Sequence, residues 1–372
     1  MFKKMSKKIE CRFHDMPYDC CGYIIEFFDS GKEFLNLCRC VQGLYEYTKK
    51  YQNIVCINLV YSIRSDHIWP INSAQLVYRL KAYFTDCITK KFSCIKILSL
   101  NTSSQLCIDK KIGDLTTLES LNLSSNNIIR IENLNNLVNL KELLLGTNFI
   151  KKIRGLDKLS KLEVLVISKN HIKTMTGLEN LKNLIVLDLG WNNISKIEGL
   201  STLVKLEELD LSRDIIFSMN IGCWGYGRIN NPNPAQSPFE IGSGLKQLKN
   251  LKLLNLGGCD VIIIEGLCYS SKLESLDLSF NYIEKIEGLE HLESLKKLRL
   301  NDNNITVCEG LDFIADNLTE LCLHNNPITS KRGITKFKNL ECLTYLNHDD
   351  RNSSNYKQKI EIEKMYKIKG FI

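Results

Sequence analysis

The sequence predicts an α/β solenoid, with a curved parallel sheet on its concave side and short helical or 3-10 turns on its convex side. Three observations predict this fold. A phrase of 22 residues recurs from Leu118 to Leu340, leucines alternate with other residues once in every copy, and an asparagine follows each alternating segment. A fixed period in the twenties indicates a stack of similar small units. One unit cannot bury its own leucines, so the units must stack on one another.

The recurring phrase is Leu-x-x-Leu-x-Leu-x-x-Asn-x-Ile-x-x-Ile-x-Gly-Leu-x-x-Leu-x-x. Within each block of copies the step is 22 residues. The first leucine of the phrase falls at Leu118, Leu140, Leu162, Leu184 and Leu206, then at Leu251, Leu273 and Leu295, and finally at Leu318 and Leu340.

Each copy is predicted to contribute one strand. In the first copy, Leu121 and Leu123 alternate with Asn122, which is the period of a short strand with one apolar face. Asn126 follows where the chain must turn off the sheet, and its amide can satisfy backbone groups that the turn leaves unpaired. We expect the asparagines of successive copies to form a ladder: Asn126, Asn148, Asn170, Asn192, Asn281, Asn303 and Asn326.

A glycine recurs just before the leucine that begins the return leg of each copy. This position predicts a tight backbone that a side chain would obstruct. The glycines are Gly155, Gly177, Gly199, Gly266, Gly288, Gly310 and Gly333.

The repeats divide the chain of 372 residues into three parts. Residues 1–94 are predicted to be an irregular N-terminal extension or cap, in which Ile54, Ile57 and Leu59 suggest a degraded repeat and residues 1 to about 50 fit none. Residues 95–346 are the solenoid, with an insertion at about 220–243. Residues 347–372 are predicted to be a C-terminal cap with a charged helical tail.

Composition excludes several classes of protein. No apolar run approaches the ~18 residues that cross a membrane, and the lysine-rich start lacks the apolar segment of a signal peptide. We therefore expect an intracellular protein, cytoplasmic or nuclear, without membrane contact. The net charge of +7 is mild for this length and argues against a nucleic-acid partner.

The sequence contains no motif for catalysis or for a cofactor. Phosphate loops, nucleophile elbows and His-Glu-x-x-His helices are absent, so we expect no enzymatic activity, no cofactor and no small-molecule substrate. The 15 cysteines are expected to be free thiols, with Cys259 and Cys322 at repeat positions. A zinc site is the alternative for the N-terminal cysteines and histidine, but their intervals match no common finger: Cys11, His14, Cys20, Cys21, Cys38 and Cys40.

A solenoid of this type binds with its concave sheet, so the outward residues beside the strand leucines are the candidate partner-binding residues. Leu144, Val164, Val166 and Val186 are predicted to form an apolar patch over three strands. Carboxylates lie next to this patch, followed by a basic step that consists of Lys297 and Arg299. Two aromatic residues could act as anchors at the rim of the concave face. The predicted partner-binding set is Glu142, Leu144, Val164, Val166, Val186, Asp188, Trp191, Glu208, Asp210, Asp277, Phe280, Lys297, Arg299 and Glu320.

The register breaks once, at residues 220–243. Insertions in repeat arrays form loops. The segment carries Trp224 and Tyr226, which would suit contact with a partner, and the alternative is a tolerated excursion without function.

Two segments resemble a known class of repeat. "LVNLKELLLGTNFIKKIRGL" and "LESLDLSFNYIEKIEGLEHL" are similar to the 22-residue leucine-rich repeat, and the resemblance covers roughly residues 95–350. The phrase "LHNNPI" before the predicted cap resembles the last repeat of the leucine-rich regulatory subunit of protein phosphatase 1.

The resemblance implies a non-catalytic subunit that holds the phosphatase 1 catalytic subunit on its concave face through acidic and aromatic side chains. The matching acidic positions are Glu142, Asp188, Glu208, Asp210, Asp277 and Glu320. The chain departs from the family pattern at Lys297, Arg299 and Cys322, where acidic or aromatic residues are expected.

The sequence thus predicts a protein-binding scaffold, with a phosphatase 1 regulatory subunit as the first hypothesis. Two alternatives of the same fold remain open: a cytoskeletal or ciliary adaptor associated with dynein, and a ribonucleoprotein-associated protein. The segment Arg213–Phe217 also fits a short phosphatase-docking pattern, which we interpret as coincidence because it lies inside a repeat.

Overall fold

Among the residues that the structure describes, thirteen strands form one parallel sheet whose spatial order is the chain order. The computed structural model describes residues 22–27, 56–61, 96–100, 106–213, 241–242, 244–329 and 337–344. Most of the predicted insertion, the N-terminal cysteines, Gly333 and the predicted C-terminal cap lie outside the described residues. The solenoid prediction is confirmed.

The strands are short and evenly repeated. They are β1 Gly22–Phe27, β2 Cys56–Tyr61, β3 Ile97–Ser99, β4 Ser120–Asn122, β5 Glu142–Leu144, β6 Val164–Val166, β7 Val186–Asp188, β8 Glu208–Asp210, β9 Leu253–Asn255, β10 Ser275–Asp277, β11 Lys297–Arg299, β12 Glu320–Cys322 and β13 Cys342–Thr344. β1 pairs with β2, and β2 pairs with β3, so the sheet extends into the predicted N-terminal part. The domain boundaries drawn from the sequence remain predictions.

The middle residue of each strand from β4 to β13 is a leucine that points into the core. Leu121, Leu143 and Leu165 are fully buried, whereas the two residues beside each of them remain half-exposed. This alternation follows from the period of two in a strand. Because a core leucine from each repeat packs on those of its neighbours, one continuous apolar core runs through the stack.

The predicted asparagine ladder is present and buried. In Asn170, the side-chain amide donates to the carbonyl oxygens of Leu145, Ile167 and Ser168 at 3.0–3.1 Å. Its Oδ1 accepts the backbone N–H of Ile150 at 2.9 Å. One side chain therefore satisfies backbone groups of its own repeat and of the preceding one.

The recurrent glycines occupy the tight backbone that was predicted for them. Gly155 has a φ of 76°, and a β-carbon at this residue would lie 2.8 Å from the carbonyl oxygen of Ile131 in the preceding repeat. Only glycine adopts this conformation without strain. The glycine therefore permits close stacking on the return legs.

The convex side consists of turns and bends. A single 3-10 helix, Lys110–Asp114, occurs among the described residues, and none of them forms an α-helix. Units of 22 residues leave too short a return leg for a longer helix. Within the described segments, no helix has the length and apolar character that crossing a bilayer requires.

Alternating charges line the edge of the sheet at the beginnings of the strands. The Glu119 carboxylate accepts hydrogen bonds from Lys141 and Lys96, which lowers the pKa of Glu119 to about 2. Lys252 pairs with Glu207, and Lys296 pairs with Glu274, each at 2.7 Å. These pairs are exposed, so each contributes little to stability.

The break in the register does not interrupt the sheet. β8 pairs directly with β9, although the paired residues are 45 positions apart. Cys259 occupies the ladder position here, and burial raises the pKa of its thiol to about 12, so the thiol remains protonated. It donates to the carbonyl oxygen of Leu211 at 3.1 Å. Arg213 pairs with Asp260 at 3.0 Å across the same step.

Candidate protein-interaction surface

The concave face presents two rows of side chains, set by the parallel register. The first row contains the first residue of each three-residue strand from β4 onward: Ser120, Glu142, Val164, Val186, Glu208, Leu253, Ser275, Lys297, Glu320 and Cys342. The second row contains the last residue of each strand: Asn122, Leu144, Val166, Asp188, Asp210, Asn255, Asp277, Arg299, Cys322 and Thr344.

The four predicted apolar residues lie together. Val164 stands opposite Val186 in the first row, and Leu144 stands opposite Val166 in the second. All four are half-buried on the open face of the sheet. We call this set the apolar patch: Leu144, Val164, Val166 and Val186.

Three carboxylates adjoin the apolar patch and form the acidic group, defined as Asp188, Glu208 and Asp210. Glu208 is opposite Val186, and Asp188 is opposite Val166. Asp188 and Asp210 also stand directly opposite each other. Like charges in that position oppose strand pairing.

Two members of the acidic group hold the turns that follow their strands. Asp188 Oδ1 accepts the backbone N–H of Gly190 at 2.9 Å, and Asp210 Oδ1 accepts that of Ser212 at 2.8 Å. Asn255 donates to Asp210 Oδ2 at 2.8 Å. These carboxylates therefore have a structural role that the sequence analysis did not predict.

The same turn contact recurs with neutral residues along the second row. Asn122 accepts the N–H of Ser124 at 2.9 Å, and Asn255 accepts that of Gly257 at 3.1 Å. An oxygen at the end of the strand is therefore sufficient for the turn. The negative charge of Asp188 and Asp210 is additional to what the fold needs.

Burial raises the pKa of Asp188, and the neighbouring charge of Asp210 raises it further. Hydrogen bonds from Gly190 and Ser168 oppose that rise without cancelling it. Glu208 is exposed and has no hydrogen bond or ion pair with the described residues. Among the described residues, no lysine or arginine forms an ion pair with the acidic group, although Lys252 attracts Glu208 electrostatically.

Replacement of Asp188 by asparagine is expected to stabilise the fold slightly at neutral pH. Since the folded pKa of Asp188 is raised, the folded state binds the proton more tightly than the unfolded state. The penalty is therefore present above the folded pKa and disappears below the unfolded pKa. We expect Asp188→Asn to raise the free energy of unfolding at pH 7 by about 0.5 kcal/mol, as for removal of a cross-strand pair of like charges.

Urea unfolding of both proteins at about pH 7 and about pH 3, on either side of these pKa values, measures this difference. The gain should vanish at the lower pH, where Asp188 is protonated in both states. Asn122→Asp is the matched control, because it introduces the charge at an equivalent turn. A loss of stability for Asp188→Asn at neutral pH would contradict the raised pKa.

The predicted basic step is neutralised by neighbouring carboxylates. Lys297 Nζ lies 3.6 Å from Glu320. The Arg299 guanidinium lies 3.7 Å from Asp277 and 3.2 Å from Glu320. These four predicted partner-binding residues satisfy one another, so they offer a partner less free charge than the acidic group.

Glu142 also has a partner within the sheet, because its carboxylate accepts the hydroxyl of Ser120 in the neighbouring strand. It lies in the first row beside Val164 of the apolar patch. Its position on the concave face agrees with the sequence, while its role in binding remains a prediction.

The two predicted rim aromatics lie just past their strands, at the edge of the concave face. Trp191 and Phe280 are 39% and 42% exposed, and both have a φ of 58°. Bulky residues rarely adopt this left-handed conformation, so the fold holds them there against local strain. The Lys169 ammonium lies 4.1 Å from the centre of the Trp191 ring. Lys169 was not among the predicted site residues, although it precedes Trp191 by one repeat period.

The described segments contain no arranged site for metal binding or redox chemistry. None of their histidines, cysteines and carboxylates form a group of three that could hold a metal ion. The six cysteines whose side chains are described are free thiols: Cys107, Cys259, Cys268, Cys308, Cys322 and Cys342. The zinc alternative concerns residues outside the described segments.

Comparison with known proteins agrees with this geometry. Family models described as "Leucine-rich repeat" and "Leucine Rich repeat" match residues 245–371 and 114–129. A leucine-rich-repeat protein of Leptospira interrogans superposes with a TM-score of 0.54 at 23% identity, over 81% of this chain and 74% of that one. The chain has the fold of a leucine-rich-repeat solenoid.

Two internalins of Listeria monocytogenes are also similar to this chain. Internalin C2 is 21% identical, with a TM-score of 0.43 over 64% of this chain and 84% of its own. The internalin InlF is 23% identical, with a TM-score of 0.37 over 76% of this chain and 99% of its own. None of the curated proteins matches the sequence significantly. The likeness to the Leptospira protein concerns the fold alone.

Proposed function

We propose that this leucine-rich-repeat chain is a non-catalytic scaffold that binds a protein partner on its concave face. The observation that carries the proposal is the acidic group beside the apolar patch, whose carboxylates form no ion pair with a lysine or arginine of the described residues. Leucine-rich-repeat proteins are typically scaffolds of this kind. An apolar surface rimmed by charge suits a protein partner.

The negative charge of the acidic group indicates what kind of partner surface would bind the concave face. Asp188 and Asp210 could have been asparagines, as at Asn122 and Asn255, without loss of the turn contact. Retaining two opposed carboxylates costs stability, and a cationic partner would offset that cost. We therefore expect the partner to present lysine or arginine side chains next to an apolar surface.

Trp191 extends the same surface at the rim. Its ring is exposed and lies one residue after Gly190, where the carboxylates of Asp188 and Asp210 converge. Tryptophan is frequent among residues that dominate interface energies. Trp191 would therefore contact the apolar or cationic part of the partner while the acidic group contacts its basic side chains.

The finer proposal is that the partner is the phosphatase 1 catalytic subunit, with the chain as its regulatory subunit in the cytoplasm or nucleus. Support comes from the resemblance of the repeats and from acidic residues at the carried-over positions. Asp277 and Glu320 contribute less to this support, because they pair with Arg299. The acidic group remains the principal candidate contact.

The experiment compares three tagged proteins in pull-downs from native lysate, with partners identified by mass spectrometry. The concave variant combines Asp188→Asn, Glu208→Gln and Asp210→Asn, which removes charge but keeps the turn acceptors. The control variant combines Glu284→Gln, Glu287→Gln and Glu293→Gln, three exposed carboxylates outside the strands with the same loss of charge. We expect the concave variant to lose at least about tenfold in partner affinity, which corresponds to ~1.4 kcal/mol.

Purified phosphatase 1 catalytic subunit is then tested directly against the same three proteins by calorimetry. Binding to the wild type and control but not to the concave variant would support the finer proposal. Dynein or tubulin chains, or splicing proteins, among the prey would instead favour one of the alternatives. Equal recovery of the partner by all three proteins would show that the concave face is not the binding surface.

A further inference from the structure

A second exposed surface lies on the flank of the solenoid, outside the concave face. Apart from Leu106, it is formed by residues that follow the ladder asparagines as the chain turns toward the convex side. We call it the flank groove, which is lined by Leu106, Asn127, Ile129, Phe149, Lys151 and His171. None of these residues belongs to the predicted partner-binding set.

The flank groove exposes three large apolar side chains together. Leu106 is 56% exposed, Ile129 is 49% exposed and Phe149 is 47% exposed. The rings of Phe149 and His171 lie 5.8 Å apart between centroids, at an angle of 34°. A cluster of exposed apolar side chains on one surface indicates a contact site, whereas a single one would not.

Lysine and arginine residues line this groove or lie next to its lining residues in the sequence. Lys151 and His171 line the groove, and none of the lining residues is acidic. Lys173 follows Ile172 just as Lys151 follows Ile150 one repeat earlier, and Arg130 follows Ile129. None of Arg130, Lys151 and Lys173 forms an ion pair with a carboxylate of the described residues, whereas the lysines at the sheet edge do.

The combination of apolar and basic residues in the flank groove is local, and the repeat phrase does not require it. One repeat position holds Phe149 in the groove but Tyr282 and Asn304 in later repeats. The position of Lys151 becomes Glu284 and Thr306. Since the same backbone site tolerates acidic and neutral residues elsewhere, stacking of the repeats does not require an apolar and basic surface here.

We propose that the flank groove binds an acidic peptide segment of another protein. Apolar side chains of that segment would pack on Ile129 and Phe149, and its carboxylates would pair with Lys151 and Lys173. The charge complementarity selects an acidic ligand, and the aliphatic lining selects a peptide. A nucleic acid would use the lysines but would gain little from Leu106 and Ile129, because its recognition relies on phosphate contacts and base stacking.

This surface is separate from the acidic group on the concave face and has the opposite charge. The chain would thus offer a basic partner one surface and an acidic partner another. Such a scaffold could hold two proteins at the same time, since the flank groove is formed by residues that follow β3–β6 and not by the concave rows.

A peptide-display selection tests the proposal with the full chain. The wild type is expected to select peptides in which aspartate or glutamate stands next to leucine or phenylalanine. A synthetic peptide of the selected consensus is then measured by fluorescence anisotropy. Phe149→Asp should weaken its binding at least about tenfold, and Lys151→Glu should weaken it about threefold or more. A consensus peptide with lysine in place of its acids should recover binding to Lys151→Glu.

Two controls separate this result from misfolding and from the concave face. Tyr282→Asp makes the equivalent change in a later repeat and should leave peptide affinity unchanged. The concave variant should also bind the peptide normally, so failure of the concave proposal would not affect this one.

Three outcomes would overturn the proposal. The first is recovery of no peptide, or of peptides that bind the wild type and Phe149→Asp equally. The second is a selected consensus without acidic residues. The third is binding of a single-stranded RNA oligonucleotide that depends on Phe149 and exceeds that of the peptide, which would assign the groove to nucleic acid.

Discussion

Replacement of Asn170 by leucine is expected to lower the free energy of unfolding by about 3 kcal/mol or more, because each buried group left without a partner costs about 1–3 kcal/mol. Asn170 is 4% exposed. Its amide satisfies carbonyl oxygens of Leu145, Ile167 and Ser168, and its oxygen satisfies the N–H of Ile150. The affected groups belong to two adjacent repeats, so the loss should weaken the stacking of both.

A graded series distinguishes this explanation from a general intolerance to substitution. Asn170→Cys should be less damaging than Asn170→Leu, because Cys259 shows that a thiol can donate from the ladder position. Asn193→Ala, at an exposed asparagine one residue past the ladder, should change stability by less than about 0.5 kcal/mol. Chemical unfolding monitored by circular dichroism measures all three. Equal losses for Asn170→Leu and Asn193→Ala would refute a special role of the ladder.

Replacement of Gly155 by alanine is expected to cost about 2 kcal/mol, within the range for residues forced into sparsely populated backbone conformations. The φ of 76° is unfavourable for any residue with a β-carbon. The added methyl would also lie 2.8 Å from the carbonyl oxygen of Ile131, so the return legs of two repeats would have to separate. Thermal unfolding should show a lower midpoint.

Gly146 in the same repeat is the matched control. A β-carbon there would lie 3.5 Å from its nearest neighbour, Ser168 Oγ, at an ordinary contact distance. Its φ is not positive. Gly146→Ala should therefore change stability by less than about 1 kcal/mol. If Gly146→Ala were as damaging as Gly155→Ala, close stacking at the return legs would not explain the recurrent glycine.

The repeat period made most of the fold predictable. It located each strand from β4 to β13, the buried asparagine ladder and the glycines on the return legs, because each of these positions has the same physical requirement in every copy. β1 was not predicted, because Gly22–Phe27 carries no copy of the leucine phrase. It pairs with β2, whose residues lie 34 positions further along the chain, and a local pattern does not reveal such a contact.

The position of the candidate surface could also be predicted, whereas the state of its charges could not. Alternation in a strand placed Val164 and Asp188 on the open face. The pairing of Arg299 with Asp277 and Glu320 depends on distances between side chains of adjacent strands. Likewise, the turn contact of Asp188 with Gly190 depends on backbone direction after the strand. The flank groove was not predicted, because its residues occupy positions at which the repeat phrase specifies no residue type.

The direct pairing of β8 with β9 separates two kinds of variation in this chain. Asn255 reaches Asp210 across 45 positions of sequence, so the concave rows continue as if the register had never changed. The extra residues between β8 and β9 therefore add length to the chain without adding a step to the concave rows. The Arg213–Asp260 ion pair and the hydrogen bond from the Cys259 thiol to Leu211 join the two repeats on either side of this junction.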